Sequence, residues 1–256
     1  MEVLSIEKLK KVYGSKFGGT KYSVLKDIDL KVEKGEFVGI MGPSGSGKTT
    51  FLNVISTIDK PTSGRIVIDG KDIVKLREPG LSKFRREKLG FIFQDFNLLD
   101  NMTIKENIVL PLALAKVPYN EIEKRLIDIT KKLGISEILN KHTYEVSGGQ
   151  KQRAAAARAI ITQPSLVLAD EPTGALDSKA SKELLNSLRY LNEKNEATIL
   201  MVTHDAFAAS YCKRVIFIKD GKLFNEIYKG DRDRKSFYES ILKVLSVIGG
   251  DTDDIM

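Results

Sequence analysis

The sequence predicts an α/β fold: a core of buried strands that carries a phosphate-binding loop, a β-rich part around the start of the chain, and a helical lobe inserted into the core. Three observations predict it. The stretch Gly42-Pro43-Ser44-Gly45-Ser46-Gly47-Lys48-Thr49 matches G-x-x-x-x-G-K-[ST] at every fixed position and lies between an apolar run ending at Met41 and a helical spacing of Phe51, Leu52, Ile55 and Ile58. Short apolar runs recur at Gly90–Gln94, Leu166–Asp170 and Thr198–Val202, each too short for a helix and bounded as a buried strand is. Residues 103–141 change character, with helical apolar spacing and few β-branched runs, and an alanine-rich helix follows from Ala154 to Ile161.

Taken in order, residues 3–9 alternate as a strand does, and Val24–Val32 forms a second alternating strand that Lys34-Gly35 turns into the strand feeding the loop. Between them lies a polar, glycine-containing segment to Tyr22. After the helix at Thr49–Ile58, an alternating Arg65–Ile68 runs into the Asp69-Gly70 hairpin signal. The boundaries predicted are core residues 1–96 and 160–229, a helical lobe at 97–159 and a C-terminal segment at 230–256. In that segment Ser236 and Glu239 form a capping box for an amphipathic helix bearing Phe237, Ile241, Leu242 and Leu245, which Gly249-Gly250 ends before an acidic tip.

Composition narrows the class. With 256 residues, 42% of them apolar, the chain can bury a sizeable core. The longest apolar run, Ile108–Ala115, spans 8 residues and contains Pro111, whereas a membrane-crossing helix needs about 20, so no crossing is expected. Nothing in Met1–Ser5 suggests export. Cys212 is alone, which excludes an internal disulfide and fits a reducing cytoplasm. The net charge of +7 comes from scattered lysines and reads as a surface property, with no nucleic-acid partner expected.

The chemistry follows from placement. Glycines at 42, 45 and 47 let successive N–H groups point at an anion; Lys48 adds a charge for the β- and γ-phosphates, and Thr49 offers a hydroxyl to Mg2+. Asp170 and Glu171 close a strand at a sheet's carboxyl edge, where Asp170 is placed to hold magnesium and Glu171 to polarise an attacking water. Gln94 ends another strand within reach of metal and water. His204 follows Thr203 at a third strand end, where an imidazole can hydrogen-bond a γ-phosphate. Tyr13 is a candidate platform for a flat ring, though an aromatic at a strand end also serves in packing. His142 reads as surface. Val146-Ser147-Gly148-Gly149-Gln150 opens the alanine-rich helix and offers a second set of N–H donors to an anion. If two such ends cannot meet one nucleotide within a chain, a head-to-tail pair of chains completes both sites.

These motifs, in their order and spacing across nearly the whole chain, resemble the ATP-binding cassette subunit of an ABC transporter, with its P-loop NTPase, RecA-like core. The resemblance implies a closed dimer sandwiching two ATP, with Ser147, Gly148, Gly149 and Gln150 of one subunit on the γ-phosphate held by the other. It also implies that Tyr13 stacks on adenine, that Gly42 to Thr50 (Pro43, Ser44, Gly45, Ser46, Gly47, Lys48 and Thr49 between) bind the nucleotide, and that Thr49, Gln94 and Asp170 hold Mg2+. Glu171 would be the catalytic base, His204 the switch histidine, and Asp177 a communicator across the dimer. Val146 replaces the usual Leu and Gly174 the common Ser, and neither change removes a phosphate donor. Gly90–Leu99 and Ala169–Asp177 resemble the group serving macrolide export, lipoprotein release and antimicrobial-peptide resistance. Met201–Asp205, Ala208–Cys212, Val215–Gly221 and the terminal helix resemble bacitracin-type resistance cassettes.

Such cassettes work on the inner face of the membrane with an FtsX-like permease, which Asp95–Thr103 is expected to dock, and often with a sensor histidine kinase. The cargo implied is bacitracin, nisin or a relative. Macrolide-export, lipoprotein-release and cell-division complexes are the alternatives within the group. A soluble ABC ATPase of repair or translation fits less well, since one phosphate loop, one Cys and no long heptad tract are present. No Asn-Lys-x-Asp run supports a GTPase.

Overall fold

The computed structural model describes residues 1–14 and 20–249. The glycine-containing segment at 15–19 and the acidic tip after Gly249 lie outside the described residues.

The chain begins with two long alternating strands, β1 (Glu2–Tyr13) and β2 (Tyr22–Glu33), then β3 (Phe37–Met41), the phosphate loop and helix α1 (Lys48–Ile55). Strands β4 (Ser63–Ile68) and β5 (Lys71–Asp72) precede helix α2 (Glu78–Lys88) and strand β6 (Leu89–Ile92). Helices α3 (Ile104–Leu114), α4 (Tyr119–Lys132) and α5 (Gly148–Ile160) come next. Then follow β7 (Leu166–Asp170), α6 (Ser178–Asn195), β8 (Ile199–Val202), the short α7 (Ala206–Ala209), the hairpin of β9 (Arg214–Lys219) and β10 (Lys222–Tyr228), and finally α8 (Arg234–Gly249).

Two sheets result. One is antiparallel, in the order β2-β1-β4-β5; the other runs β10-β9-β3-β8-β7-β6, parallel except for β10. The central strands are apolar on both faces because both are covered. In β3, β7, β8 and β9 the residues Phe37, Met41, Val167, Ala169, Ile199, Met201, Val215 and Phe217 face one core with helices α3 to α6 and α8. Their alternate neighbours Val38, Ile40, Leu168, Leu200, Val202 and Ile216 face the other, shared with the antiparallel sheet. Helix α1 lies in that second core with Phe51, Leu52, Val54 and Ile55 buried. Below about 12 residues a lone helix is marginal in water, so α1 owes its stability to this burial, worth about 1.5–3 kcal/mol for each large side chain.

The structure departs from the sequence expectations at four places. Helix α1 stops at Ile55 rather than Ile58: Thr57 turns to φ 62°, the Asn53 carbonyl accepts from the Ile58 and Asp59 N–H groups, and Ile58 is 59% exposed. Helix α2 lies where no apolar period predicts one, because Arg85, Arg86 and Lys88 dominate it and only Leu81 and Phe84 are buried. The capping box expected at Ser236 is replaced by Asp233, whose carboxylate accepts from the Ser236 N–H at 2.8 Å, so the helix starts three residues earlier. His142 is half-buried rather than free on the surface, its ring stacked on Tyr144 with centroids 5.3 Å apart.

Candidate nucleotide site

Parallel pairing decides where the chemistry meets. Because β3, β8, β7 and β6 are neighbours running the same way, their carboxyl ends share one edge, and the residues just past them are Gly42, His204, Glu171 and Gln94. The ladder continues briefly beyond the strands, with the Thr203 N–H donating to Ile40 O at 3.1 Å and the Glu171 N–H to Val202 O at 2.9 Å.

At that edge a cavity of about 780 Å³ is lined by Gly42, Pro43, Ser44, Gly45, Gly47, Lys48, Thr49, Thr50, Glu171 and His204. Two glycines are dictated by space: a Cβ on Gly42 would stand 2.0 Å from Ile218 O, and Gly47, at φ 101°, serves as the N-cap of α1. The first-turn N–H groups of α1 therefore face the cavity with the positive end of the helix dipole. Lys48 Nζ donates to the carbonyls of Gly42 at 2.9 Å and Pro43 at 2.8 Å. Burial pulls its pKa down from the ordinary lysine value, against the opposing pull of Glu171 and Asp170. Ser46 lies beneath the loop, 3% exposed.

Glu171 and His204 form a pair. The imidazole Nδ1 stands 2.9 Å from Glu171 Oε1, and the His204 N–H donates to Oε2 at 3.3 Å. Glu171 has φ 44°, a conformation that is strained for a residue with a side chain. Burial pushes the Asp170 carboxyl above its usual range and the Glu171 charge adds to this, while Lys48 opposes it. A hard cation beside Asp170 would relieve that crowding, and the hydroxyl of Thr49 is the oxygen donor type that magnesium accepts. The donor set thus fits Mg2+ bound by few protein oxygens.

Other expected residues do not line this cavity. The Tyr13 hydroxyl donates to Asp59 Oδ2 at 2.6 Å, Lys11 Nζ binds Asp59 Oδ1 at 2.6 Å, and the same ammonium lies 4.6 Å from the Tyr13 ring centroid. Burial and the Asp59 hydrogen bond raise the Tyr13 phenol pKa, keeping it neutral. Gln94 packs on Gly174, where an added Cβ would lie 3.0 Å from Gln94 Cδ, so glycine in place of serine makes room for the amide. Asp177 caps α6 by accepting from the Ala180 N–H. Ser147 caps α5 in a capping box with Gln150, and Gly148 lies beside Phe96 and Leu176 rather than the phosphate loop.

Four lining residues were not foreseen as site residues: Val24, Leu245, Ile248 and Gly249. Val24 belongs to β2, and the other three bring the end of α8 to the phosphate loop. Nothing local in the sequence marks them, because only the packing of α8 on the core carries its last turn there.

A strand, a glycine-bent loop, a helix N-terminus with Lys48 and Thr49, and an acidic strand end beside them define a phosphate-loop nucleotide-binding protein. Residues 25–174 match the family described as ABC transporter. The chain is 60% identical to the uncharacterized ABC transporter ATP-binding protein YvcR of Bacillus subtilis over 98% of this chain and 96% of the relative. It is 54% identical to the bacitracin export ATP-binding protein BceA of Halalkalibacterium halodurans, over 99% of this chain and 100% of that one. Its fold superposes on the dimeric, post-hydrolysis ATP-binding cassette MJ0796 bound to ADP and Pi, a protein of Methanocaldococcus jannaschii, with a TM-score of 0.78 and 41% identity over 88% of this chain and 98% of that one. The chain belongs to the ABC transporter family, as an ATP-binding cassette. Among the described residues no helix is long and apolar enough to cross a membrane.

Proposed function

We propose that this cassette binds and hydrolyses ATP to drive an FtsX-like permease that confers resistance to cell-wall-active peptide antibiotics such as bacitracin or nisin. The observation that carries the ATPase reading is the Glu171–His204 pair on the wall of the phosphate-loop cavity. Gly42 to Thr50 hold the phosphates, and Tyr13, one face backed by Lys11, offers its other face to adenine. Glu171 accepts the proton of the water that attacks the γ-phosphorus, and ADP leaves as the bond to its β-phosphate oxygen breaks. His204 orients Glu171 through Nδ1 and presents Nε2 to the γ-phosphate. Thr49, Asp170 and Gln94 would hold Mg2+, which neutralises charge on the phosphates when bound.

The lining of the cavity supports a two-chain site. The Ser147–Gln150 donors are not among its residues, so a second copy, head to tail, supplies them to the γ-phosphate. Closure accompanies ATP binding, and hydrolysis reopens the pair. For the permease, a groove of about 440 Å³ supports docking near Asp95–Thr103: Phe91, Phe93, Leu110, Pro111 and Leu114 give an apolar floor, with Arg85, Arg86 and Arg158 around it. The full-length likeness to BceA supports the peptide-antibiotic cargo, and a sensor histidine kinase reached through the permease belongs to the same reading. Co-expression with candidate permeases tests it: co-purification with an FtsX-like permease and antibiotic-stimulated ATP turnover are expected. Exclusive co-purification with a lipoprotein-releasing or cell-division permease would replace the assignment.

A further inference from the structure

Helix α5 does two things at once. At its N-terminus the Ser147 side chain accepts from the Gln150 N–H in a capping box. Five residues on, Gln152 is fully buried, and its Nε2 donates to Phe93 O at 2.9 Å and to Pro172 O at 2.7 Å. Phe93 immediately precedes Gln94, and Pro172 immediately follows Glu171. One amide therefore ties together the two loops that carry Gln94 and Glu171.

The two carbonyl partners fix the orientation of the amide, since only an NH2 group can donate to both. Its Oε1 is buried with no partner among the described residues. An unmet buried acceptor is unfavourable, so what the amide contributes at this position is the pair of bonds its NH2 group donates. The loop it grips is the strained one, with Glu171 at φ 44°. Such a conformation persists only where the surroundings hold it. Here the Glu171 N–H donates to Val202 O and the Gly174 N–H to Glu171 O, both at 2.9 Å, and these come from the sheet and from the loop itself. The Gln152 bond comes from α5. Further along the same helix, Arg158 donates to Phe96 O at 3.0 Å and grips the segment after Gln94 as well. From Ser147 to Gln152 is about 7.5 Å of helix, short enough to move as a rigid unit.

We propose that Gln152 is a positioning residue: it holds Glu171 and Gln94 in one geometry and makes that geometry depend on α5. A γ-phosphate captured at the α5 N-terminus then acts on the same protomer's own Glu171. This rests on the reading of Glu171 as base and of Ser147–Gly149 as γ-phosphate donors to the partner's nucleotide.

The test measures ATP turnover and ATP binding by the full-length chain carrying Gln152→Leu or the milder Gln152→Asn, each alone and with Glu171→Gln. Loss of positioning lowers kcat about tenfold or more while KM stays within about threefold, and the double variant is no slower than Glu171→Gln alone. A purely structural amide would lower Tm without changing kcat of the folded protein. Native kcat in folded Gln152→Leu, or in Gln152→Asn should the former not fold, overturns the proposal, as does a multiplicative loss in the double variant. If Glu171→Gln itself turns over at the native rate, the reading of the base falls; if it is inactive while Gln152→Leu is normal, only the positioning role falls.

Discussion

His204 holds the Glu171 carboxylate by two contacts, its ring Nδ1 at 2.9 Å from Oε1 and its backbone N–H at 3.3 Å from Oε2. With Nδ1–H donating to the carboxylate, Nε2 is left free of that contact, and on the proposed reading one imidazole would orient the base and meet the γ-phosphate together. Glu171→Gln keeps the shape of the pair and removes the proton acceptor. The variant is expected to bind ATP and stall as a dimer, with turnover down about 100-fold or more. Gel filtration with ATP and a phosphate-release assay check both halves.

His204→Ala leaves the carboxylate without its orienting partner. Turnover is expected to fall about 100-fold with folding intact, and a rate within twofold of native would remove His204 from the mechanism.

The two anion-binding ends separate by mutation. Lys48→Ala, which deletes the charge inside the loop, is expected to abolish nucleotide binding. Gly148→Asp places a carboxylate at the α5 N-terminus, outside the cavity. It should leave ATP binding to the monomer intact and block the productive dimer. Equal loss of monomer binding in both variants would refute a two-chain site.

Tyr13 is held by a hydrogen bond to Asp59, which is itself paired with Lys11. Burial pushes the Asp59 carboxyl upward, but the hydrogen bonds from Lys11, Tyr13 and the Lys60 N–H more than offset this, and its pKa lies below the usual value. The folded-state value being depressed, the stabilisation is present above the unfolded pKa of about 3.9 and is lost as pH falls through the folded one. Tyr13→Ala is expected to raise KM for ATP about tenfold at unchanged kcat, and Asp59→Ala to raise it less while removing this acid-range loss of Tm.

Asp170 shows the opposite sign. Its carboxyl is raised by burial and by Glu171, so between the unfolded and folded pKa the native state holds the extra proton, and stability declines as pH rises through that window. At pH 7 Asp170→Asn is expected to melt higher than the native protein in the absence of nucleotide and to lose magnesium-dependent turnover. A lower Tm would show that the pull of Lys48 outweighs the crowding.

The outline of the fold was legible because its signals are local. The phosphate loop is fixed by glycines whose spacing any fold would have to honour, and β7 and β8 announce themselves as unbroken apolar runs ending in Asp170 and in Thr203-His204. Helix α2 was not legible, since it has only Leu81 and Phe84 to bury and its charged face gives no period. The end of α1 is not marked in the sequence, because Ile58 continues the helical spacing while Thr57 turns the chain out of it.

What the sequence by itself determined is which groups are present: Lys48, Thr49, Asp170, Glu171, His204 and the Ser147–Gly149 donors, each with chemistry set by its side chain or its place at an element's end. Only the tertiary structure decided who meets whom. The strand order β3-β8-β7-β6 puts residues more than a hundred positions apart on one edge, and the packing of α8 brings Leu245 and Ile248 to the loop. It also leaves the α5 donors outside their own cavity and threads Gln152 between Phe93 and Pro172. These are consequences of burying two faces of one sheet at once, and no short stretch of sequence encodes them.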